Sequence, residues 1–167
     1  FIKPKNALDG LYYLADLNSD LRRILHLGKY RFNKEVWKWF GSKIKQSVDP
    51  AGFVVTYVSM NWMRYCYRGF NQSEILAKEF CAGFRKIVYK KQLFKNVTNL
   101  NKKARFAAIK NSFSCREQNF QTPILIVDDV YTTGATLNEI ALTIKKSASQ
   151  IKVYGLVIAK TPIHKLC

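Results

Sequence analysis

Two adjacent carboxylates, Asp128 and Asp129, follow four apolar residues, Ile124 to Val127, and precede Thr132, Thr133, Gly134 and Thr136. Two neighbouring carboxylates in one site repel each other unless they share hydrogen-bond donors or a cation. A vicinal diol supplies two donors side by side, and a hydrated Mg2+ supplies charge. The hydroxyl-rich stretch beyond them suits an anion. Its glycine lets the backbone come close to a ligand, and free N–H groups at the start of a helix favour a phosphate. A diol one sugar's width from a phosphate describes a ribose 5-phosphate. The diol is expected on Asp128 and Asp129, with any Mg2+ held there through the ligand, and the phosphate on residues 132 to 136.

The elements that must position these groups are a buried strand, a polar loop and a helix. The helix shows as Leu137, Ile140, Ala141 and Ile144 at helical spacing. Loops at the C-terminal ends of parallel strands are where open α/β sheets hold ligands. A strand running through both aspartates would turn them to opposite faces. The strand is therefore predicted to end at about Asp128. A Walker-B strand would need a GxxxxGK[ST] loop elsewhere, and the chain has none.

An apolar run, two acids, two residues and then TTGxT resembles the phosphoribosyl pyrophosphate (PRPP) signature of type I phosphoribosyltransferases, and residues 124–136 fit it throughout. That likeness implies a PRPP site made by Asp128, Asp129, Tyr131, Thr132, Thr133, Gly134, Ala135 and Thr136. It implies a pyrophosphate turn after an earlier strand, here Val58, Ser59, Met60 and Asn61, with Arg64 following. Further along, Arg68-Gly69-Phe70-Asn71-Gln72 with Leu76-Ala77 is similar to the ComF family of competence-associated phosphoribosyltransferase-like proteins, as are Leu100, Arg105 and Phe113. The likeness covers about residues 20–161. It implies a mostly parallel α/β sheet flanked by helices, with a small N-terminal cap and a flexible arm. It also implies a role in natural transformation: handling incoming single-stranded DNA beside a helicase or channel at the cytoplasmic side of the inner membrane. Family members often carry an upstream four-cysteine zinc module, expected to be missing here. Two positions depart from the family: Tyr57-Val58-Ser59-Met60 stands where prolines are usual, and Ala108 where Asn is common.

In phosphoribosyl transfer a nucleophile displaces pyrophosphate at the sugar's C1, and positive charge builds on the ring. Cations near the leaving group and exclusion of water would help. Arg68 and Arg64 are the candidates nearest the pyrophosphate turn. Lys102, Lys103 and Arg105 sit on the expected arm, which would close over the site. An ordinary phosphoribosyltransferase of nucleotide metabolism is the alternative reading.

The chain has 167 residues, 28 basic against 11 acidic, for a formal net charge of +17. Such an excess fits a polyanionic partner or an anionic membrane surface. Trp62, Arg64, Tyr65, Tyr67, Arg68 and Phe70 interleave aromatics with cations, as platforms for single-stranded nucleic acid do. Lys29-Tyr30-Arg31-Phe32 repeats the pattern more weakly. Lys90, Lys91 and Lys95 lie in a stretch, Phe80 to Arg116, with ten basic residues and no acidic one. The four cysteines show neither paired nor metal-ligand spacing, and read as reduced thiols of a cytoplasmic protein. No apolar run approaches the ~20 residues that span a bilayer, so any membrane association is peripheral.

One domain is expected over 1–167, with a helical cap at 1–50 and the core at 51–161. Residues 1–19 suggest a hairpin or extended cap. Helices are predicted at 20–31, ended by Gly28, and at 33–47, capped by Asn33. Residues 53–58 read as a central strand and 59–72 as a loop. A helix follows from Asn71 through Leu76, Ala77, Phe80 and Phe84. A short strand is predicted at 87–89, helical structure from Lys102, and a last strand at 151–159.

Overall fold

The computed structural model describes residues 1–4, 6–91, 109–116 and 119–162. The continuous apolar run Ile124–Val127 is wholly buried. It opens β5 (Ile124–Tyr131), which pairs in parallel with β2 (Val54–Tyr57) on one side and β6 (Val153–Lys160) on the other. β1 (Gly10–Asp16) pairs in parallel with the far side of β6, giving the order β1-β6-β5-β2. Strands covered on both faces read as unbroken apolar runs rather than alternating ones, which is what β5 and β6 show.

Helices α1 (Ser19–Tyr30), α2 (Lys34–Ser47) and α4 (Gln72–Phe80) cover one face. Trp37, Phe40, Ile44, Leu76 and Phe80 pack there on Val55, Leu125, Val127 and Leu156. Helix α5 (Ala135–Ser147) covers the other face with Leu137, Ile140, Ala141 and Ile144. A separate antiparallel pair, β3 (Val88–Lys90) and β4 (Phe113–Cys115), adds Val88 and Phe113 to that second core. Burying each such Leu, Ile or Phe is worth about 1.5–3 kcal/mol. The short helix α3 (Trp62–Arg68) stands between β2 and α4.

The expected α/β architecture is present, and several details differ. Residues 10–16 are not part of a cap. They are an edge strand of the main sheet, so the core does not begin at residue 51. Residue 28 does not end its helix. Gly28 lies inside α1, where a Cβ would press on the indole of Trp37. Residues 54–57 lie at one end of the four-stranded sheet rather than in its middle, but α4 and the chain around β3 cover them, which explains their apolar character. The stretch 59–72 is not all loop, because α3 occupies 62–68. The helix begun at Asn71 stops at Phe80. The arm expected around Lys95, Leu100, Lys102, Lys103, Arg105 and Ala108 lies outside the described residues.

Candidate functional site

Strand β5 does not stop at Asp128. It runs through both aspartates to Tyr131. Even so, the two side chains reach the first turn of the same helix. Ser73 Oγ donates to Asp128 Oδ1 at 2.8 Å, and Gln72 Nε2 reaches Asp129 Oδ2 at 3.5 Å. Each carboxylate also accepts the next backbone N–H: Asp129 N to Asp128 Oδ1 at 2.9 Å, and Val130 N to Asp129 Oδ1 at 2.8 Å. Beyond the acids the strand stays paired to β6 as far as Tyr131. Val130 joins the core on the α1–α2–α4 side, and Tyr131 joins the core under α5. The two acids thus meet one helix start through the reach of their side chains, not through an end of the strand.

The pair is electrostatically loaded. Burial first, and the charge of Asp129 second, push the Asp128 carboxyl up to about 7, against the pull of Ser73, the Asp129 N–H and Lys29. Asp129 is buried at 7% exposure and forms an ion pair with Lys29, from the last turn of α1. No sequence signal singled out Lys29 as a partner of the acids. Gln72 belongs to the family-like motif, but its partner Asp129, and Ser73 on Asp128, follow only from the fold that lays α4 against β5.

Asn18, Asn33, Asn61 and Asn71 cap α1 to α4, each accepting a backbone N–H with its side chain. Helix α5 is built differently. Its cap is Gly134, at φ 75°, with no side-chain cap bond; Thr133 Oγ1 only approaches Ala135 N at 3.4 Å. With no bond from the cap's own side chain, the α5 amides beyond Ala135 can face an anion beside Thr132, Thr133 and Thr136. Tyr131 folds back over Gly134, where any Cβ would strike its phenol. Asn6 Nδ2 donates to the Tyr131 hydroxyl at 2.9 Å, and Asn138 Oδ1 accepts Ala7 N at 2.9 Å, so the N-terminal segment also borders the loop.

Val58 and Ser59, expected in a pyrophosphate turn, are held by hydrogen bonds to three other elements. Val58 N donates to Val127 O at 3.0 Å, Asn71 Nδ2 donates to Val58 O at 2.9 Å, and the Ser59 hydroxyl donates to Val88 O. Ser59, Met60, Asn61, Trp62 and Tyr65 form one wall of a cleft of about 420 Å³. Glu74, Lys86, Lys90 and Lys91 line it from the other elements. Glu74 Oε1 accepts the Tyr57 hydroxyl at 3.0 Å. Burial first, then Arg64, lower the Lys90 ammonium, and Asp128 opposes them. Lys90 thus lies within the electrostatic reach of both the cleft and the acids.

The rings of Trp62 and Tyr65 are parallel within 14°, with centroids 6.1 Å apart, and both are exposed. Tyr67 is exposed and meets Phe32 at 5.9 Å. Arg68 does not enter the cleft. Its guanidinium lies 5.4 Å from the Tyr30 ring centre, and Nη1 reaches Gln72 Oε1 at 3.4 Å. Lys95, Lys102, Lys103 and Arg105 fall outside the described residues. Among the described residues no three His, Cys, Asp or Glu side chains group as metal ligands, and no helix is long and apolar enough to cross a membrane.

A parallel α/β sheet with an acid pair near the end of an inner strand, followed by a glycine-capped helix, defines the class of this molecule. No family profile matches the chain. The chain is 32% identical over 152 residues to competence protein F of Haemophilus influenzae, covering 86% of this chain and 62% of that protein. It is 29% identical over 136 residues to competence protein ComFC of Streptococcus pneumoniae, covering 77% and 60%. It is 31% identical over 160 residues to DNA utilization protein YhgH of Salmonella typhi, covering 87% and 70%. The chain thus spans a little under two thirds of the first two relatives. It belongs to the ComF/YhgH family of competence and DNA utilization proteins.

Proposed function

We propose that this chain binds PRPP and acts in DNA uptake, holding single-stranded DNA on the aromatic and basic face of α3. The names of its relatives support the uptake role. The observation that carries the PRPP reading is the convergence of Asp128 and Asp129 on one helix start, next to a helix whose glycine cap has no side chain to bond its amides. On this reading the diol donates to the two carboxylates. The 5-phosphate accepts from the first amides of α5 and from Thr132, Thr133 and Thr136. The diphosphate lies toward residues 58–61, with Arg64 and Lys90 near. Mg2+ would be carried on the diphosphate and would supply charge to the paired acids. The chain's own contribution is to hold the sugar with its C1 toward the cleft and to offset charge there.

The test is calorimetry with Mg-PRPP. The expectation is micromolar-range binding that needs Mg2+ and is lost when Asp128→Ala and Asp129→Ala are combined. No heat with the unaltered protein would remove this reading.

A further inference from the structure

The acid pair is engaged by the chain itself. Asp129 Oδ2, an oxygen that a ribose hydroxyl would need, carries the ammonium of Lys29 and the amide of Gln72. The contacts run on into a closed ring. Gln72 Oε1 takes Arg68 Nη1 at 3.4 Å, Arg68 faces the Tyr30 ring at 5.4 Å, and Tyr30 follows Lys29 directly in the chain. Two residues later Phe32 has φ 55°, a conformation that strains a bulky side chain, and its ring meets Tyr67 of α3 at 5.9 Å. Strain of that kind persists only where surrounding contacts over-determine it. Lys34, two residues further on, faces the Phe70 ring at 5.8 Å. Residues 29–34 therefore tie the sugar acids to both ends of the segment Tyr67–Phe70, directly beside the aromatic face of α3.

We propose that Lys29 to Phe32 form a latch: Lys29 fills the diol position until a ribose displaces it, and its release loosens the hold of Tyr30 and Phe32 on α3. The proposal rests on the sugar-phosphate reading above and adds regulation to it. The diol's hydroxyls replace the ammonium on Asp129. Gln72 then loses its paired geometry, and Arg68 is freed from Tyr30. Sugar binding and nucleic-acid binding become linked, because both act on one element with two arrangements. By reciprocity, a strand that captures Tyr67 or Arg68 from the latch raises affinity for the sugar phosphate by the same factor.

Two variants and one exchange measurement test this. Lys29→Met removes the competing ammonium and should bind Mg-PRPP about tenfold more tightly than the unaltered protein. Phe32→Ala removes the ring contact with Tyr67 while keeping the strained backbone, without touching an acid, and should tighten binding in the same direction by a smaller factor. Equal or weaker binding by Lys29→Met would overturn the latch, since Lys29 would then be a ligand of the sugar or a bystander. Independently of any ligand, Asp129→Asn should speed amide exchange in residues 29–32 and 62–68. Unchanged exchange there overturns the latch as well. Absence of heat with both the unaltered protein and Lys29→Met counts instead against the sugar-phosphate reading, and the exchange result then decides the latch alone.

Discussion

Ser73 donates its hydroxyl to Asp128 Oδ1 at 2.8 Å, joining the first turn of α4 to the inner strand β5 across 55 positions of sequence. Ser73 and the Asp129 N–H meet on the same carboxyl oxygen, so Ser73 helps to aim this carboxyl. A hydrogen bond to a carboxylate favours its charged form. Ser73→Ala should therefore raise the Asp128 carboxyl still further and cost about 1 kcal/mol of stability. Urea unfolding measures the second effect. Carbon-detected NMR titration of the aspartates measures the first, and an unmoved titration would show that Ser73 does not set it.

The pH dependence of folding should carry the mark of Asp128. Its folded-state value, about 7, lies above the ordinary 3.8. The neutral form is the one the fold favours. That stability is complete below about pH 4 and fades as pH rises through about 7. Stability should therefore drop by something on the order of 1–3 kcal/mol between pH 4 and pH 8 from this group. Asp128→Asn, which imitates the neutral acid, should flatten that slope while abolishing Mg-PRPP binding. Denaturation midpoints across that range decide it; a slope as steep in the variant as in the parent would point to other groups.

Gly134 answers two demands at once. At φ 75° a side chain is strained, at about 1–2 kcal/mol, and a Cβ would collide with the phenol of Tyr131. Gly134→Ala should lower the melting temperature and eliminate Mg-PRPP binding. Adding Tyr131→Ala removes the collision but leaves the backbone strain, so the double variant should recover part of the lost melting temperature. Full recovery would mean that the backbone conformation matters less than the clash.

The proposed nucleic-acid face makes a separable prediction. Stacking a base on Trp62 is worth ~1–3 kcal/mol, so Trp62→Ala should weaken single-stranded DNA binding about 5- to 150-fold with little change in its salt dependence. Lys86→Ala with Lys91→Ala should act the other way. The slope of log affinity against log salt should fall by about 1.4 if both contact phosphates. Fluorescence anisotropy at several salt concentrations separates the two. Binding that ignores both changes would move the DNA to another surface.

The inner strands and the turn into α5 could be read from residue order because their signals are local. Ile124–Val127 is an apolar run bounded by acids, and TTGAT is contiguous. Strand β1 escaped because Gly10–Asp16 gains its partner from β6, more than a hundred residues away. Gly28 looked like a helix stop, since what holds it inside α1 is the Trp37 indole from another helix. Helix α3 was hidden by Trp62, Tyr65 and Tyr67, aromatics that carry little helix signal on their own. Lys29 was invisible for the same reason as β1. Its role exists only once α1 is laid beside β5.

The place of β1 bears on how the protein should be trimmed for experiments. A fragment starting near residue 51 would strip β6 of one hydrogen-bonded neighbour and uncover the apolar side chains that Leu8 and Leu11 now shield. An open, hydrophobic strand border of that kind invites pairing between molecules. Shortened versions should keep everything from Asn6 onward, or they will report on aggregates or on a disturbed loop rather than on ligand binding.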